Sequence, residues 1–306
     1  MPNDFNQQVI EEFRANRGRV GGYFEGARLL LLTTTGARTG APHTTPVGYL
    51  HDGGERVLVI ASAGGSPKHP DWFRNLLADP RLTVEDGVFT YDARAVVLEG
   101  EERDRAFARA AEADPGWGEY QARTERVIPV VALEAVESGP PNTNTTSMGE
   151  AIKVIHDGFR RELALIRQEI MDSGPGLGAQ LRINCLTLCQ GLHNHHTGED
   201  TALFPYLAAQ DDELAPVLDR LRQEHEKIAA LLSDLREVVA PDGTAYAAAD
   251  ASAHQAGDGS AGGGSAGGDA DPTFVLAEVE RLAEELEAHL RYEEEELIPA
   301  LDAAAR

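Results

Sequence analysis

The segments HHTGEDTALFPYL (195–207) and HLRYEEEELIPAL (289–301) share one pattern of side chains. Each has a histidine, a glutamate four residues later and a proline six residues after the glutamate: His195, Glu199 and Pro205, then His289, Glu293 and Pro299. A histidine and a glutamate four residues apart lie on one face of an α-helix. Two such helices facing each other would offer nitrogen and oxygen ligands together, so the pattern predicts a metal centre between helices.

Apolar residues extend this helical pattern through the second half of the chain. They recur at steps of three or four residues in four stretches, 148–172, 177–209, 211–239 and 273–304. This period predicts four amphipathic helices packed as an up-down four-helix bundle. The segment 241–272 between the last two is rich in Gly, Ala, Ser and Asp, cannot bury a core, and is predicted to be a disordered insertion.

Each predicted helix carries a histidine on its apolar face, and two carry a glutamate one turn later. One such histidine is usually a core residue, but four with two carboxylates favour a shared metal, because an unpaired buried carboxylate costs several kcal/mol. Imidazole and carboxylate without thiolate suit iron or manganese better than zinc. His196 and Asp200 either support the ligands or form an alternate pair. The candidate ligands are His156, His195, Glu199, His225, His289 and Glu293.

The first half follows a strand-and-turn pattern instead. A short helix is predicted over 4–16, and further helices over 71–79 and 101–114. The predicted strands are 27–35, 43–50, 56–62, 82–86, 89–98 and 126–134. Without regular alternation of strand and helix, this order indicates an antiparallel barrel or an α+β domain. We therefore predict two domains, 1–137 and 148–306, joined by the linker SGPPNTNTTS (138–147).

Charge limits the partners that the chain can bind. Residues 1–138 hold 15 basic and 21 acidic side chains, whereas 139–306 hold 12 and 30, within a formal charge of −24. So acidic a second half excludes nucleic acid as an expected partner. The nearly balanced first half could hold an anionic small molecule in a local basic groove.

Cysteine usage and apolar runs give the expected compartment. Cys185 and Cys189 form neither a disulfide framework nor a CxxC pair, and we expect two core residues one helical turn apart. The chain opens with a polar segment that lacks a signal-peptide core, and its longest apolar run, 29–32, is far too short to span a bilayer. We expect a cytoplasmic protein, with a peripheral membrane location as the alternative.

Two glycine-rich turns are the candidate site of the first half. The turn GARTGAP (36–42) could leave the amides from Gly36 to Gly40 free to bind phosphate or carboxylate beside Arg38 and His43. The turn ASAGGSPKHP (61–70) adds Ser62 and Lys68, and Trp72 and Asn75 follow on a helix. By chemistry alone this signal is weak, since such turns often only reverse the chain and Trp72 could equally be core.

The motifs IHDGF, HHTGEDTALFP, QEHEKI and HLRYEEEELIP identify a resemblance over residues 148–303 to the hemerythrin-like HHE cation-binding family. The resemblance implies two iron ions bridged by Glu199 and Glu293 and capped by His156, His195, His225 and His289. It also implies dioxygen, peroxide or nitric oxide as partners at the metal. Oxygen-carrying members have a further histidine where this chain has Ala229, which would leave a coordination position open to such a ligand.

The motifs TTTGARTG, VIASAGGSPKHPDWFRNL and YQARTERVIPVV identify a second resemblance, over residues 4–136, to the deazaflavin-dependent nitroreductase family. That family has a split β-barrel, binds coenzyme F-420 and passes hydride to a quinone or nitro acceptor. It implies that Tyr120 lies near the substrate as a proton donor, and it leaves a homodimer open. The implied cofactor contacts are Arg38, Thr39, Gly40, Pro42, His43, Ala61, Ser62, Lys68, Trp72 and Asn75.

Together the resemblances imply a deazaflavin-dependent reductase with a di-iron domain that binds or senses an oxidant. The alternative is a non-enzymatic iron-binding, sensing or storage protein whose barrel only holds cofactor. Trp117 stands where a tyrosine often helps to bind substrate in that family, and Arg38 and His43 stand where related members often have Lys and Arg. The acceptor is therefore open.

Overall fold

The computed structural model describes residues 4–136, 142–240 and 271–304. They fall into two compact units, Met1–Thr146 with Glu150–Gly158, and Ser147–Gly149 with Phe159–Arg306. Most of the predicted disordered insertion at 241–272 and the start of the predicted linker lie outside the described residues. The proposed domain bounds stay a prediction.

Six antiparallel strands of the first unit close into a barrel in the order β1-β2-β3-β6-β5-β4. This confirms the barrel that the sequence predicts. In chain order the elements are α1 (Asp4–Ala15), β1 (Leu29–Thr35), β2 (Pro42–His51), β3 (Val57–Ile60), α2 (Asp71–Ala78), β4 (Arg81–Glu85), β5 (Thr90–Val97), α3 (Gly100–Ala113), α4 (Gly116–Ala122) and β6 (Val130–Ala135).

The first four residues of β1, all leucines, are apolar without alternation because both faces of the strand are covered there. Successive side chains of a strand point to opposite faces. Leu30 and Leu32 accordingly join one core cluster with β3 and α2, while Leu29 and Leu31 pack with Phe13 of helix α1. Burying both faces of one strand fixes where α1 lies against the barrel.

The second unit holds four long helices around one apolar core, as the sequence predicts. Side chains from all four meet in a single buried cluster that includes both cysteines. Burial raises the pKa of the Cys189 thiol to about 11, so this thiol is an inert core group. The four long helices are α5 (Met148–Asp172), α6 (Ala179–Gly198), α8 (Ala215–Val239) and α9 (Pro272–Ala304), and the short helix α7 (Phe204–Gln210) lies between α6 and α8 in the chain.

The helix that the sequence predicts over 177–209 forms from Ala179 to Gln210, but a π-helical turn interrupts its α-helical hydrogen bonding. Helix α6 ends at Gly198, a π-helical turn spans Glu199–Leu203, and α7 continues from Phe204. Within the π turn the amide of Phe204 donates to the carbonyl of Glu199, five residues earlier. Pro205 has no amide hydrogen to continue the α-helical bonding, which favours this wider turn, and π turns often mark functional sites.

No helix among the described residues is both long enough and apolar enough to cross a membrane. The expected cellular location stays a prediction.

Candidate metal centre and cofactor site

Four of the six predicted metal ligands meet in one cluster. His156 of α5, His195 of α6, Glu199 of the π turn and Glu293 of α9 each place a ligand atom within 4.8 Å of the others. Three of these side chains are buried, and His195 is nearly so. The cluster is compact enough to hold a metal ion.

The other two predicted ligands meet a third histidine nearby. His225 of α8 and His289 of α9 lie with His196 of α6, and one ring nitrogen from each falls within 4.8 Å of the other two. All three rings are buried. The predicted set of six therefore divides between two adjacent clusters, and His196 joins the second one.

The two glutamates reach both clusters. Glu199 places Oε1 3.2 Å from Nε2 of His195 and Oε2 3.5 Å from Nε2 of His225. Glu293, which clusters with His156, places Oε2 3.5 Å from Nε2 of His289. A carboxylate between two groups of imidazoles is placed to bridge two ions.

The electrostatics of the cluster favour a cation. Both oxygens of Glu199 and the Nε2 atoms of His225 and His289 are buried and make no hydrogen bond to the residues that the structure describes. Burial, followed by the nearby Glu293 carboxylate, raises the pKa of Glu199 well above its usual value. Burial also lowers the pKa of His289. Because positive ions would satisfy these carboxylates and lone pairs together, the donor set fits the metal that the sequence predicts.

Carboxylates outside the cluster orient two of the histidines. Asp200 lies 3.0 Å from Nδ1 of His225, and Glu224 lies 3.1 Å from Nδ1 of His289. A ring that donates its Nδ1 hydrogen to a carboxylate keeps the Nε2 lone pair for a metal. The sequence left Asp200 as either a supporting residue or half of an alternate pair with His196, and its contact with His225 matches the supporting role. Glu224, which directly precedes His225 in QEHEKI, had no predicted role.

Replacing Asp200 by asparagine should weaken metal binding by roughly 10–100-fold, the usual effect of losing such an outer partner. Asp200 accepts from Nδ1 of His225, and an amide in its place leaves that ring less firmly oriented. Competition against a coloured chelator would measure the affinity. Asp219→Asn is the matched control, because Asp219 is 71% exposed and pairs with Arg222 on the same unit. Equal affinities for both variants would contradict an orienting role for Asp200.

Most backbone amides of the turn between β1 and β2 already donate hydrogen bonds within the protein. Gly36 donates to Ala41, and Thr39 and Gly40 both donate to the carbonyl of Gly36. Ala37 donates to the side chain of Asn75 at 3.0 Å. The expectation that the amides from Gly36 to Gly40 are free to bind an anion is therefore wrong for four of the five. An anion here would meet mainly side chains, of which Arg38 and His43 are exposed.

Asn75 and Trp72 of α2 are buried and support the candidate cofactor site through structural contacts. Asn75 accepts from the amide of Ala37 and donates to the hydroxyl of Thr34 at 3.0 Å, which fixes α2 against the β1–β2 turn. Trp72 packs within the barrel's core cluster. Lys68, by contrast, is exposed before the helix.

The second glycine turn is held by an arginine that sequence reasoning left without a role. Arg126 donates to the carbonyls of Ala61 at 3.0 Å, Ser62 at 2.6 Å and Ser66 at 2.8 Å. Its remaining nitrogen lies 3.2 Å from Nδ1 of His69, whose pKa is lowered by burial and by the charge of Arg126. One planar side chain thus fixes the backbone that the sequence predicts to hold cofactor.

Gln121 holds the loop that carries Arg126. Its side-chain oxygen accepts from the amide of Ile128 at 3.0 Å, and its amide donates to the carbonyls of Thr124 and Arg126. Gln121 and Arg126 of the segment YQARTERVIPVV are therefore positioning residues. The sequence shows the motif that contains them, but it does not show the hydrogen bonds that they make.

Tyr120 borders the same turn on α4. A Cβ atom at Gly65 would lie 2.9 Å from the Tyr120 carbonyl, so glycine permits this close approach. The Tyr120 ring packs edge-on against Trp117, with centroids 6.0 Å apart. A hydrogen bond with Tyr23, followed by burial, raises the pKa of Tyr120. The phenol therefore keeps its proton at neutral pH.

Two family models match the chain. One, described as "F420H(2)-dependent quinone reductase", matches residues 6–135, and the other, described as "Hemerythrin HHE cation binding domain", matches residues 147–301. The "F420H(2)-dependent quinone reductase Rv1261c" of Mycobacterium tuberculosis is 38% identical over 125 residues, which cover 40% of this chain and 83% of that protein. A solved "Structure of F420-H2 Dependent Reductase (FDR-A)" is 42% identical and covers 35% of this chain and 94% of its own, with a TM-score of 0.33.

Proposed function

We propose that this chain, which belongs to the F420H(2)-dependent quinone reductase family over residues 6–135 and to the hemerythrin HHE family over residues 147–301, oxidises reduced coenzyme F-420 and reduces a quinone or nitro acceptor. Its helical unit would hold two iron ions, with manganese as the alternative metal, and would bind dioxygen, peroxide or nitric oxide.

The observation that carries the reductase is the meeting of three motifs at one place in the barrel unit. Asn75 links the β1–β2 turn to α2, and Arg126 links the turn after β3 to the loop after α4. These bonds join segments that are distant in the chain and contain all the proposed cofactor contacts. Arg38 and Lys68, both exposed, would meet the polyanionic tail of the coenzyme.

When bound, the deazaflavin supplies the hydride. The chain's own task is to orient ring and acceptor and to provide a proton. The residues that would line the cofactor include Thr39, Gly40, Pro42, His43, Ala61 and Ser62. Tyr120, which holds its proton at neutral pH, would donate it to the reduced acceptor.

Anaerobic oxidation of reduced coenzyme F-420 with menadione, followed by deazaflavin absorbance, tests the reductase on the full-length protein. Turnover above the rate without protein supports it, and no turnover by folded, metal-loaded protein refutes it. His225→Ala in the same assay asks whether the helical unit affects the reduction.

Tyr120→Phe should lower kcat in this assay by at least about tenfold, because the phenylalanine keeps the ring but cannot donate a proton. The KM for the coenzyme should change little, since the proposed tail contacts remain. Tyr206→Phe is the control, because Tyr206 is an exposed tyrosine on α7 and belongs to none of the barrel motifs. An unchanged kcat for Tyr120→Phe would remove its proposed role.

The second candidate function is metal binding, sensing or storage without catalysis. Two observations favour it. The candidate metal ligands already lie together in the helices. In the barrel, two of the proposed cofactor contacts, Trp72 and Asn75, make structural contacts instead. Calorimetry separates the candidates. Iron bound without measurable affinity for the deazaflavin would favour this second function.

A further inference from the structure

We propose that His196 is a metal ligand and completes a three-histidine position with His225 and His289. The inference rests on the metal binding proposed above and assigns a direct ligand role to a residue that the sequence left open between a supporting role and an alternate pair with Asp200.

The three rings are packed as a converging group. His196 stacks on His225 with centroids 4.2 Å apart and an angle of 15° between the planes. It meets His289 edge-on at 5.2 Å, and His225 meets His289 at 4.8 Å. One ring nitrogen from each lies within 4.8 Å of the other two. The centre of the group is therefore lined by imidazole nitrogens.

Hydrogen bonds set which nitrogens face that centre. His225 and His289 direct Nδ1 to the carboxylates of Asp200 and Glu224. Their buried Nε2 atoms, which make no hydrogen bond to the described residues, are therefore the nitrogens that keep a lone pair for a metal. Apolar side chains would fill a core more favourably than converging lone pairs. A cation at the centre turns this repulsion into coordination, and His196 supplies the third nitrogen.

Consecutive positions on α6 let one helix serve both clusters. Neighbouring residues of an α-helix point about 100° apart, so His195 and His196 diverge. His195 joins His156 and the glutamates, whereas His196 joins His225 and His289. The ring centroids of the two neighbours lie 5.5 Å apart, close enough to serve adjacent ions.

The helix α8 position one turn after His225 does not contribute. It is Ala229, which is exposed. The expectation that this alanine leaves the ion short of a protein ligand therefore changes, because His196 supplies the missing imidazole from another helix. An ion beside His225 would then be held by three histidines and an ion beside His195 by two, with Glu199 and Glu293 within reach of both clusters.

His196→Leu tests the proposal, with His193→Ala as the matched control, because His193 is an exposed histidine on the same helix. Full-length proteins are stripped with a chelator and loaded anaerobically with Fe(II). Metal per chain is then measured by elemental analysis after desalting. We expect two ions for the wild type and the control, and one or fewer for His196→Leu. Two ions in His196→Leu, held at wild-type affinity, would overturn the proposal.

Folding is measured on the same samples. Leucine at this buried position should leave the metal-free protein at least as stable as the wild type, whereas Fe(II) should raise the Tm of the variant less than that of the control. If leucine prevents folding, His196→Gln keeps a polar side chain and the same comparison applies. Wild-type protein that binds no metal would refute the proposed metal function. If the wild type and His196→Leu both bind two ions, only the role of His196 is refuted. Neither result depends on quinone reduction.

Discussion

Replacing Glu199 by glutamine should stabilise the metal-free helical unit and at the same time abolish its high-affinity metal binding. The side chain is buried, and its pKa is raised by burial and by the carboxylate of Glu293. Without a cation, this carboxyl either takes a proton or remains as an uncompensated charge, and both states cost free energy. Glutamine has nearly the same shape and carries no charge.

The change in stability without metal and the change with Fe(II) have opposite signs. This difference distinguishes a metal ligand from a carboxylate that only packs in the core. In the metal-free state, removing the charge should raise the free energy of unfolding by about 1–3 kcal/mol. In the presence of Fe(II), the variant should lose the stabilisation that binding gives the wild type, which is about 2.7 kcal/mol at a metal concentration of 100 times Kd. A structural carboxylate would show neither the gain nor the loss.

The pH dependence of the metal-free gain follows from the direction of the pKa shift. A carboxyl with a raised pKa in the folded state binds its proton more tightly there than in the unfolded chain. Its destabilising effect is therefore absent below the unfolded pKa, about 4.3, and grows as the pH rises toward the folded pKa. The advantage of Glu199→Gln should accordingly be smaller at pH 5 than at pH 8.

Thermal unfolding with chelator and with Fe(II), at both pH values, measures these effects. Glu295→Gln is the matched control, because Glu295 is exposed on α9 two residues after Glu293. It should change neither the metal-free stability nor the response to Fe(II). If Glu199→Gln is destabilised without metal, the carboxylate has a structural partner and the bridging interpretation is wrong.

The sequence predicts most of the metal site because helical spacing converts directly into a shared face. His195, Glu199 and Glu293 of the two echoed segments lie in one cluster, and His289 lies in the adjacent one. Spacing does not identify the partner of Asp200, which reaches His225 from the π turn. A period of 3.6 cannot anticipate such a change in winding, and Pro205 alone does not predict it, because Pro299 at the equivalent position lies within the continuous helix α9.

The barrel was predicted only in part, from the pattern of its strands. Strand lengths and β-branched composition located all six strands, but not the order in which they pair. Helix α4 was missed because GWGEYQA contains two glycines, which disfavour helix. Arg126 was missed because its importance depends on carbonyls some sixty residues earlier in the chain. No local pattern records a contact of that kind.

Arg126→Ala should lower turnover with reduced coenzyme F-420 by roughly 100-fold, because the turn that it holds would lose its geometry. The guanidinium satisfies the carbonyls of Ala61, Ser62 and Ser66, and alanine leaves all three without that donor. The loss should also reduce the free energy of unfolding by about 1–3 kcal/mol. Lysine should not restore function, since one ammonium cannot reproduce a planar fork.

Comparing the loss of turnover with the loss of stability shows whether Arg126 positions the cofactor turn or only stabilises the fold. Turnover and deazaflavin affinity are measured at a temperature where circular dichroism shows each variant fully folded. Arg81→Ala is the matched control, because Arg81 lies on β4, pairs with Asp79 and is itself 83% exposed. A merely structural role predicts that folded Arg126→Ala retains normal affinity and turnover. A positioning role predicts weak binding and slow turnover in fully folded protein, because Ala61 and Ser62 would no longer be held where the proposed cofactor contacts require them.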